Sequence, residues 1–476
     1  MFVDREEELV FLNSLLTRTS PGPAQLILLY GRRRTGKTAL LQHWAEASTL
    51  PYTYWVANKE PAAAQRRSLC ARVTGLPEDE APHFDGWPAL WRWFASQVVR
   101  PEERRILILD ELQYASEADP SMLSGLQHAW DQHLKHSHLI IALCGSQIGT
   151  LESIMTRQSP LFGRLTGQWL LQPLPFSALK DFFPNWSPAE HVALYAIVGG
   201  IPAYLEWLDS KRSLSANIRD IILSPGSMFS AEPSFLLYDE LRELGSYHAI
   251  LRAISTGRHT LKEISDEALI GRTNTASFLS RLQELRLVER RLPVTLTASQ
   301  RRRSKRGHYH LSDAYFRFFY QFVAPHQRSL LSAEQTLEHI RRHLRDFVGE
   351  AFEDLAQQWL AHQVRAGALP FTPEAVGAHW GRGVQVDAVA INWQTRDALL
   401  GECKWQERKV PLSVVRDLVD RKGPRTRKDL PEAGEGWKLH YAVFTRAGLT
   451  PPALAELEKH GGLHVDLPEL NETLSG

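Results

Sequence analysis

The stretch Gln25-Leu-Ile-Leu-Leu-Tyr30-Gly31-Arg-Arg-Arg-Thr35-Gly36-Lys37-Thr38 decides the fold class. Residues 26–30 are uninterrupted apolar positions, the pattern of a strand buried on both faces. A loop bounded by Gly31 and Gly36 comes next, and then helical spacing over 39–47. In this order, glycines let backbone N–H groups close around phosphate oxygens, and the helix start adds partial positive charge. The loop predicts Gly31, Arg34, Thr35, Gly36, Lys37 and Thr38 as nucleotide contacts. Lys37 is suited to the β- and γ-phosphates of ATP, and the Thr38 hydroxyl to Mg²⁺.

Residues 5–16 read as an acidic amphipathic helix, and residues 106–109 as a second buried strand ending in Asp110-Glu111. Acidic groups at the end of a parallel strand lie where α/β sheets bind ligands. Asp110 is predicted to hold Mg²⁺ and Glu111 to orient or deprotonate the attacking water. A third strand, 139–144, ends in Gly145-Ser146-Gln147, where Ser146 is a candidate γ-phosphate sensor. Arg164, in Pro160-Leu-Phe-Gly-Arg164, is a candidate arginine finger supplied by the same or a neighbouring subunit. His133, His136 and His138 lie where a helix should give way to a strand, without nearby cysteines or ordered ligand spacing, and are not expected to form a metal set.

The segments Phe2-Val-Asp-Arg5-Glu-Glu-Glu-Leu9, Tyr30–Thr38, Leu109-Asp-Glu111, Gly145-Ser146, Ser159-Pro-Leu-Phe-Gly-Arg164 and Gly199-Gly-Ile-Pro202 occur in that order. Together they resemble the archaeal-type P-loop ATPases of the AAA+/STAND group. The resemblance implies that Phe2, Arg5 and Pro202 lie near the adenine.

With 476 residues the chain is long enough for about three domains. Its 30 Gly and 27 Pro are ordinary and exclude collagen-like or low-complexity classes. The scattered Cys70, Cys144 and Cys403 form neither a disulfide framework nor a metal knuckle, which predicts a reducing, cytoplasmic setting. No apolar run approaches the ~18 residues of a membrane span, and the acidic start does not resemble a signal peptide. The 14 tryptophans are dispersed and read as core and interface residues.

The formal charge of +1 conceals a division: −4 over residues 1–210, +8 over 211–344 and −3 over 345–476. These ranges are the expected domains. In the basic middle, a helix over 239–256, a capping box Thr260-x-x-Glu263 and a third helix from Arg272 precede extended segments 288–296 and 308–311. Three helices and a hairpin form the winged helix-turn-helix pattern. Arg301, Arg302, Arg303, Lys305 and Arg306 at the predicted wing tip are candidate phosphate contacts. Arg272, Asn274 and Thr275 are candidate base contacts. DNA is therefore the expected partner, with a second copy or another protein as a further one.

Residues 315–322 read as an aromatic packing element and 348–364 as an amphipathic helix containing Glu353. A hairpin centred on Gln394/Thr395 makes opposed positions sum to 789, so Asp387 faces Glu402, with Lys404 on the same strand face. Close carboxylates invite a cation, and oxygen ligands favour Mg²⁺ or Mn²⁺. Glu353, Asp387 and Glu402 are thus candidate metal ligands, and Lys404 a candidate for neutralising developing charge. The order resembles the PD-(D/E)xK nuclease fold, with Val386 rather than Pro before Asp387. Residues 440–445 and the helix after Pro451 supply the later elements that this resemblance implies.

The expected architecture is α/β. A P-loop NTPase parallel sheet, AAA+-like with a helical lid, leads into the winged-helix region and a small restriction-endonuclease-like α/β domain. The expected function is an ATPase switch on DNA with a metal-dependent nuclease tail. The alternatives are a nucleotide-gated DNA-binding or regulatory protein with an inert tail, and a protein-interaction scaffold.

Overall fold

The computed structural model describes every residue except Met1, Pro21, 101–102, 239–240, Arg242, 328–331, Arg382 and Gly476. The chain forms two compact units, one of Met1–Leu174 with Ile201–Ala203, the other of Pro175–Gly200 with Tyr204–Gly476.

The first unit is built on five strands: β1 (Gln25–Tyr30), β2 (Tyr52–Val56), β3 (Arg105–Asp110), β4 (Leu139–Gly145) and β5 (Gly167–Leu170). All pair in parallel, in the order β2-β3-β4-β1-β5. Period-two alternation divides their side chains between two cores. Leu26, Leu28, Leu107, Leu109, Ile141 and Leu143 serve one face. Ile27, Leu29, Ile106, Ile108, Ile140 and Cys144 serve the other, packed with residues of helices Glu6–Thr17 and Lys37–Ala47. This doubly covered sheet explains the unbroken apolar strands. It also sets the ends of β1, β3 and β4 along one edge.

In the second unit, helices Leu244–Ser255, Leu261–Ala268 and Arg272–Glu284 precede an antiparallel hairpin of β6 (Val288–Arg291) and β7 (His308–Leu311). The Thr260/Glu263 capping box is formed as expected. Part of the expected start of the first helix lies outside the described residues. Two expectations are corrected. The first hairpin strand stops at Arg291, because Pro293 cannot donate to a ladder and Val294 N–H instead donates to the Ala378 carbonyl. The basic run then begins inside a helix, Ala298–Arg303, started by a Thr297/Gln300 capping box.

A 34-residue helix, Ala333–Ala366, crosses the second unit, about 50 Å long at the standard rise. It begins earlier than residue 348 because Ser332 and Gln335 cap it and Leu337 and Ile340 are buried on its inner side. Its Glu350 meets Arg317 (3.3 Å), and its Asp354 meets Arg291 (2.8 Å). A mixed sheet comes after it, of β8 (Ala375–Gly381), β9 (Val384–Asn392), β10 (Asp397–Lys404), β11 (Lys438–Thr445) and β12 (Leu463–Asp466). Its order is β12-β11-β10-β9-β8, antiparallel through β8-β9-β10 and parallel thereafter. The β9–β10 partners sum to 789, from Asp397↔Asn392 to Gly401↔Ala388. Asn392 sets the turn by accepting hydrogen bonds from the Gln394 and Thr395 N–H groups.

Candidate nucleotide site and carboxylate cluster

The loop after β1 turns left-handed at Gly36 (φ 89°), and the helix Lys37–Ala47 starts there. A Cβ at Gly31 would lie 2.5 Å from the Leu171 carbonyl oxygen, so only glycine fits. The buried Lys37 ammonium donates to the Gly31 and Arg32 carbonyls (2.9 and 2.8 Å), and burial lowers its pKa. Thr35 is fully buried and its hydroxyl donates to the Arg32 carbonyl. The Thr38 hydroxyl donates to Asp110 Oδ2 at 2.6 Å, which joins the loop to the end of β3. Tyr54 donates to the same oxygen at 2.9 Å. Asp110 Oδ1 accepts from the Glu111 N–H.

Glu111 takes a left-handed conformation (φ 50°) and starts the helix Leu112–Ala118. Its Oε2 accepts from the Ser146 hydroxyl (2.9 Å) and from Gln113. Arg33 donates to Ser146 Oγ (3.3 Å) and to the Tyr114 hydroxyl (2.6 Å). The ends of β1, β3 and β4 therefore bring Lys37, Thr38, Asp110, Glu111 and Ser146 together. Thr38 and Asp110 supply hard oxygen atoms suited to Mg²⁺, and the loop amides and Lys37 suit a polyphosphate.

Phe2 stacks on His43 at 4.0 Å between ring centroids, and Pro202 Cγ lies 3.8 Å from a Cβ position at Gly36. Arg5 is buried, and its guanidinium donates to the Thr35 and Gln172 carbonyls (both 2.9 Å) while pairing with Glu8. Arg34 has a left-handed backbone (φ 70°). Arg164 is held by both oxygens of Asp131 and is drawn into that pair rather than toward the loop.

Arg272 and Asn274 are exposed at the start of their helix. Thr275 is corrected: it is fully buried and its hydroxyl donates to the Ile270 and Gly271 carbonyls, so it cannot meet a base. Arg302, Arg303, Lys305 and Arg306 are exposed. Arg301 turns back to the Val294 and Leu296 carbonyls, and Arg306 lies 4.0 Å from Asp429.

In the mixed sheet, Asp387 on β9 and Glu402 on β10 are buried side by side, and Asp387 Oδ2 accepts from the Cys403 N–H at 3.0 Å. Burial and the Glu402 carboxylate push Asp387 upward; burial and Asp387 push Glu353 upward from the long helix. The expected group is thus assembled, with Lys404 donating to Glu402 Oε1 at 2.7 Å. The other Glu402 oxygen is taken by Lys422 at 2.6 Å. With both oxygens engaged, the cluster does not fit a metal as it stands. Among the described residues, no group of three or more His, Cys, Asp and Glu side chains is arranged to hold one.

Sequence reading missed Tyr54, Gln357, which donates to the Asp387 carbonyl (2.8 Å), and Lys422. A signal existed for the last: residues 404–428 hold nine Lys and Arg against three Asp and Glu, hidden inside a segment of net −3.

A family described as an ATPase domain predominantly from Archaea matches residues 2–208. An uncharacterized protein of Methanocaldococcus jannaschii is 31% identical over 410 residues, 86% of this chain and 88% of that protein. The chain belongs to the archaeal ATPase-domain family. An uncharacterized ATP-binding protein of the same organism is 50% identical over 46 residues, 10% of this ATPase-domain protein and 73% of the relative. Residues 319–415 match a second family, described as archaeal and bacterial proteins of unknown function, which includes Glu353, Asp387, Glu402 and Lys404 but not Lys422. Among solved structures, the Walker-type ATPase of Pyrococcus abyssi is similar at 19% identity and TM-score 0.49, covering 67% of this chain and 96% of that one. Among the described residues, no helix is long and apolar enough to cross a membrane.

Proposed function

We propose that the chain is an ATP-hydrolysing switch that acts on DNA. The observation that carries the ATPase reading is the 2.6 Å contact of Thr38 with Asp110, which unites the phosphate loop and the acidic strand end. Thr38 and Asp110 would hold Mg²⁺, which when bound neutralises the charge on the nucleotide phosphates. Lys37 exchanges its two carbonyl partners for phosphate oxygens. Glu111 orients the attacking water and receives its proton, while Ser146, already on Glu111, reports the γ-phosphate. Arg164 acts as a finger only after leaving Asp131, and Phe2, Arg5 and Pro202 frame the base side of the loop.

DNA is the partner favoured by the exposed Arg272, Asn274, Arg302, Arg303, Lys305 and Arg306. In this reading residues 211–344 contain a winged helix and 345–476 a PD-(D/E)xK-like domain with Asp387, Glu402, Glu353 and Lys404 at its centre. The free thiols Cys70, Cys144 and Cys403 support a cytoplasmic setting. A second reading, a nucleotide-gated DNA-binding protein with an inert tail, is favoured by the occupation of both Glu402 oxygens.

Glu111→Gln tests the ATPase reading. The variant should retain ATP binding and lose turnover by about 10²-fold or more. Turnover equal to the wild type would remove Glu111 from the mechanism.

A further inference from the structure

The phosphate loop carries three consecutive arginines, Arg32, Arg33 and Arg34, and the middle one reaches the ends of two other strands. Arg33 Nε donates to Ser146 Oγ at 3.3 Å, just past β4, and its Nη2 donates to the Tyr114 hydroxyl at 2.6 Å, on the helix after β3. Ser146 in turn donates to Glu111 Oε2 at 2.9 Å. The guanidinium therefore stands one hydroxyl away from the carboxylate assigned to the attacking water. The loop fixes it there from both sides. The Arg32 carbonyl accepts from Lys37 and from Thr35, and the backbone turns left-handed at Arg34 (φ 70°). Burial lowers the pKa of Lys37, and the nearby Arg33 charge adds to that lowering. Two cations held this close repel until an anion lies against both.

Arg164, the arginine expected as a finger, is placed differently. Its Nε and Nη2 meet the two oxygens of Asp131 (3.0 and 2.7 Å), and its Nη1 donates to the Pro160 and Phe162 carbonyls (3.0 and 3.1 Å). To reach a nucleotide it must give up all of these together.

We propose that Arg33 is the catalytic arginine of the nucleotide site, supplied in cis by the phosphate loop to the γ-phosphate of ATP. The proposal rests on the ATPase reading and names the source of its positive charge. In the hydrolytic step the water oxygen bonds to the γ-phosphorus, and Glu111 receives the water's proton. The bond to the β–γ bridging oxygen breaks, and its electron pair leaves on ADP. Arg33 exchanges the neutral oxygens of Ser146 and Tyr114 for charged phosphate oxygens, which accept more strongly and match its planar fork. Because charge on the bridging oxygen grows toward the transition state, losing Arg33 lowers kcat more than ATP affinity.

The experiment uses the full chain with Mg²⁺, in wild type, Arg33→Ala and Arg33→Lys. Turnover is measured against chain concentration, and binding is followed with a fluorescent ADP, with and without aluminium fluoride as mimic of the phosphoryl group in transfer. Arg33→Ala should lose about 10³-fold in kcat, keep ATP affinity within about tenfold, and bind ADP without the tightening that aluminium fluoride gives the wild type. Arg33→Lys should recover only part, and millimolar guanidinium should partly rescue Arg33→Ala. Wild-type turnover per chain should not depend on concentration. Wild-type kcat and aluminium fluoride tightening in Arg33→Ala overturn the proposal and leave the ATPase reading standing. Loss of ATP binding equal to the loss of turnover overturns it too, since Arg33 then serves the ground state. Wild-type turnover that appears only as chain concentration rises assigns the charge to a neighbouring copy, a result that needs no variant to fold. A wild type that binds ATP and never hydrolyses it overturns both readings.

Discussion

Arg5 illustrates how much one side chain can organise. A left-handed backbone (φ 81°) turns its guanidinium inward, where it joins the phosphate loop at Thr35 to the segment after β5 at Gln172. Hydrogen bonds to a charged group contribute about 1.5–3 kcal/mol each, so Arg5→Ala should loosen the loop and weaken ATP binding by roughly tenfold. Arg5→Lys should not restore it, because lysine lacks the separate guanidinium nitrogens that meet the Gln172 and Thr35 carbonyls. Calorimetric titration with ATP checks both; wild-type affinity in Arg5→Ala would mean that the loop holds its shape without this arginine. At this scale, what the sequence disclosed depended on locality. Lys37 and Thr38 could be read because phosphate chemistry prescribes their spacing, and Asp110 because a buried strand ends there. Tyr54 could not, since its contact with Asp110 arises only when separate elements meet, and for Lys422 the basic stretch 404–428 marked the region but not the pairing with Glu402.

Among elements, β9 and β10 were the most legible and the β6–β7 hairpin the least. A four-residue connection with Asn392 at its start leaves one symmetrical register, and the observed partners keep it. In the hairpin, two local signals override the expected pattern: Pro293, which ends the strand expected to run to residue 296, and the Thr297-x-x-Gln300 capping box, which makes a helix of residues at the expected wing tip. That helix divides the basic run. Arg302 and Arg303 face solvent, whereas Arg301 holds the Val294 and Leu296 carbonyls. Replacing Arg302 and Arg303 with Ala should therefore reduce the slope of log K for DNA against log salt by about 2. Arg301→Ala should leave the slope unchanged and lower the melting temperature. Salt-titrated binding and thermal unfolding, run on both proteins, distinguish a phosphate-contacting helix from a merely solvated one; an unaltered slope in the double variant identifies the latter.

For the whole molecule, the near-neutral total charge of +1 is a poor guide to partners, since acidic, basic and again acidic segments cancel. Even the last of these contains the basic stretch 404–428. The chain passes between its two compact units after Leu174, Gly200 and Ala203. Pro202, next to Gly36, thus sits on a three-residue segment whose flanking residues belong to the other unit. If the proposed division of labour holds, DNA cleavage should require Mg²⁺ or Mn²⁺, respond to ATP, and disappear in Glu402→Ala while ATP binding persists. A gel assay of wild type and variant, with and without ATP, measures all of this. A wild type that cuts neither DNA nor RNA with either metal would assign the tail to the inert reading.

The helix Ala333–Ala366 carries a consequence for how such a chain can vary. Glu350 and Asp354 form one stripe on it, paired with Arg317 and Arg291. Glu353 and Gln357 form the neighbouring stripe, beside Asp387. Each stripe keeps its direction only while the residue count between them is preserved, since every added residue rotates the downstream side chains by about 100°. One residue inserted between Asp354 and Gln357 would leave Arg291 satisfied and turn Gln357 away from Asp387. The helix is therefore indexed like a keyed shaft. It tolerates exchanged letters far better than changed length, and substitution rather than insertion is the route by which its two stripes can diverge.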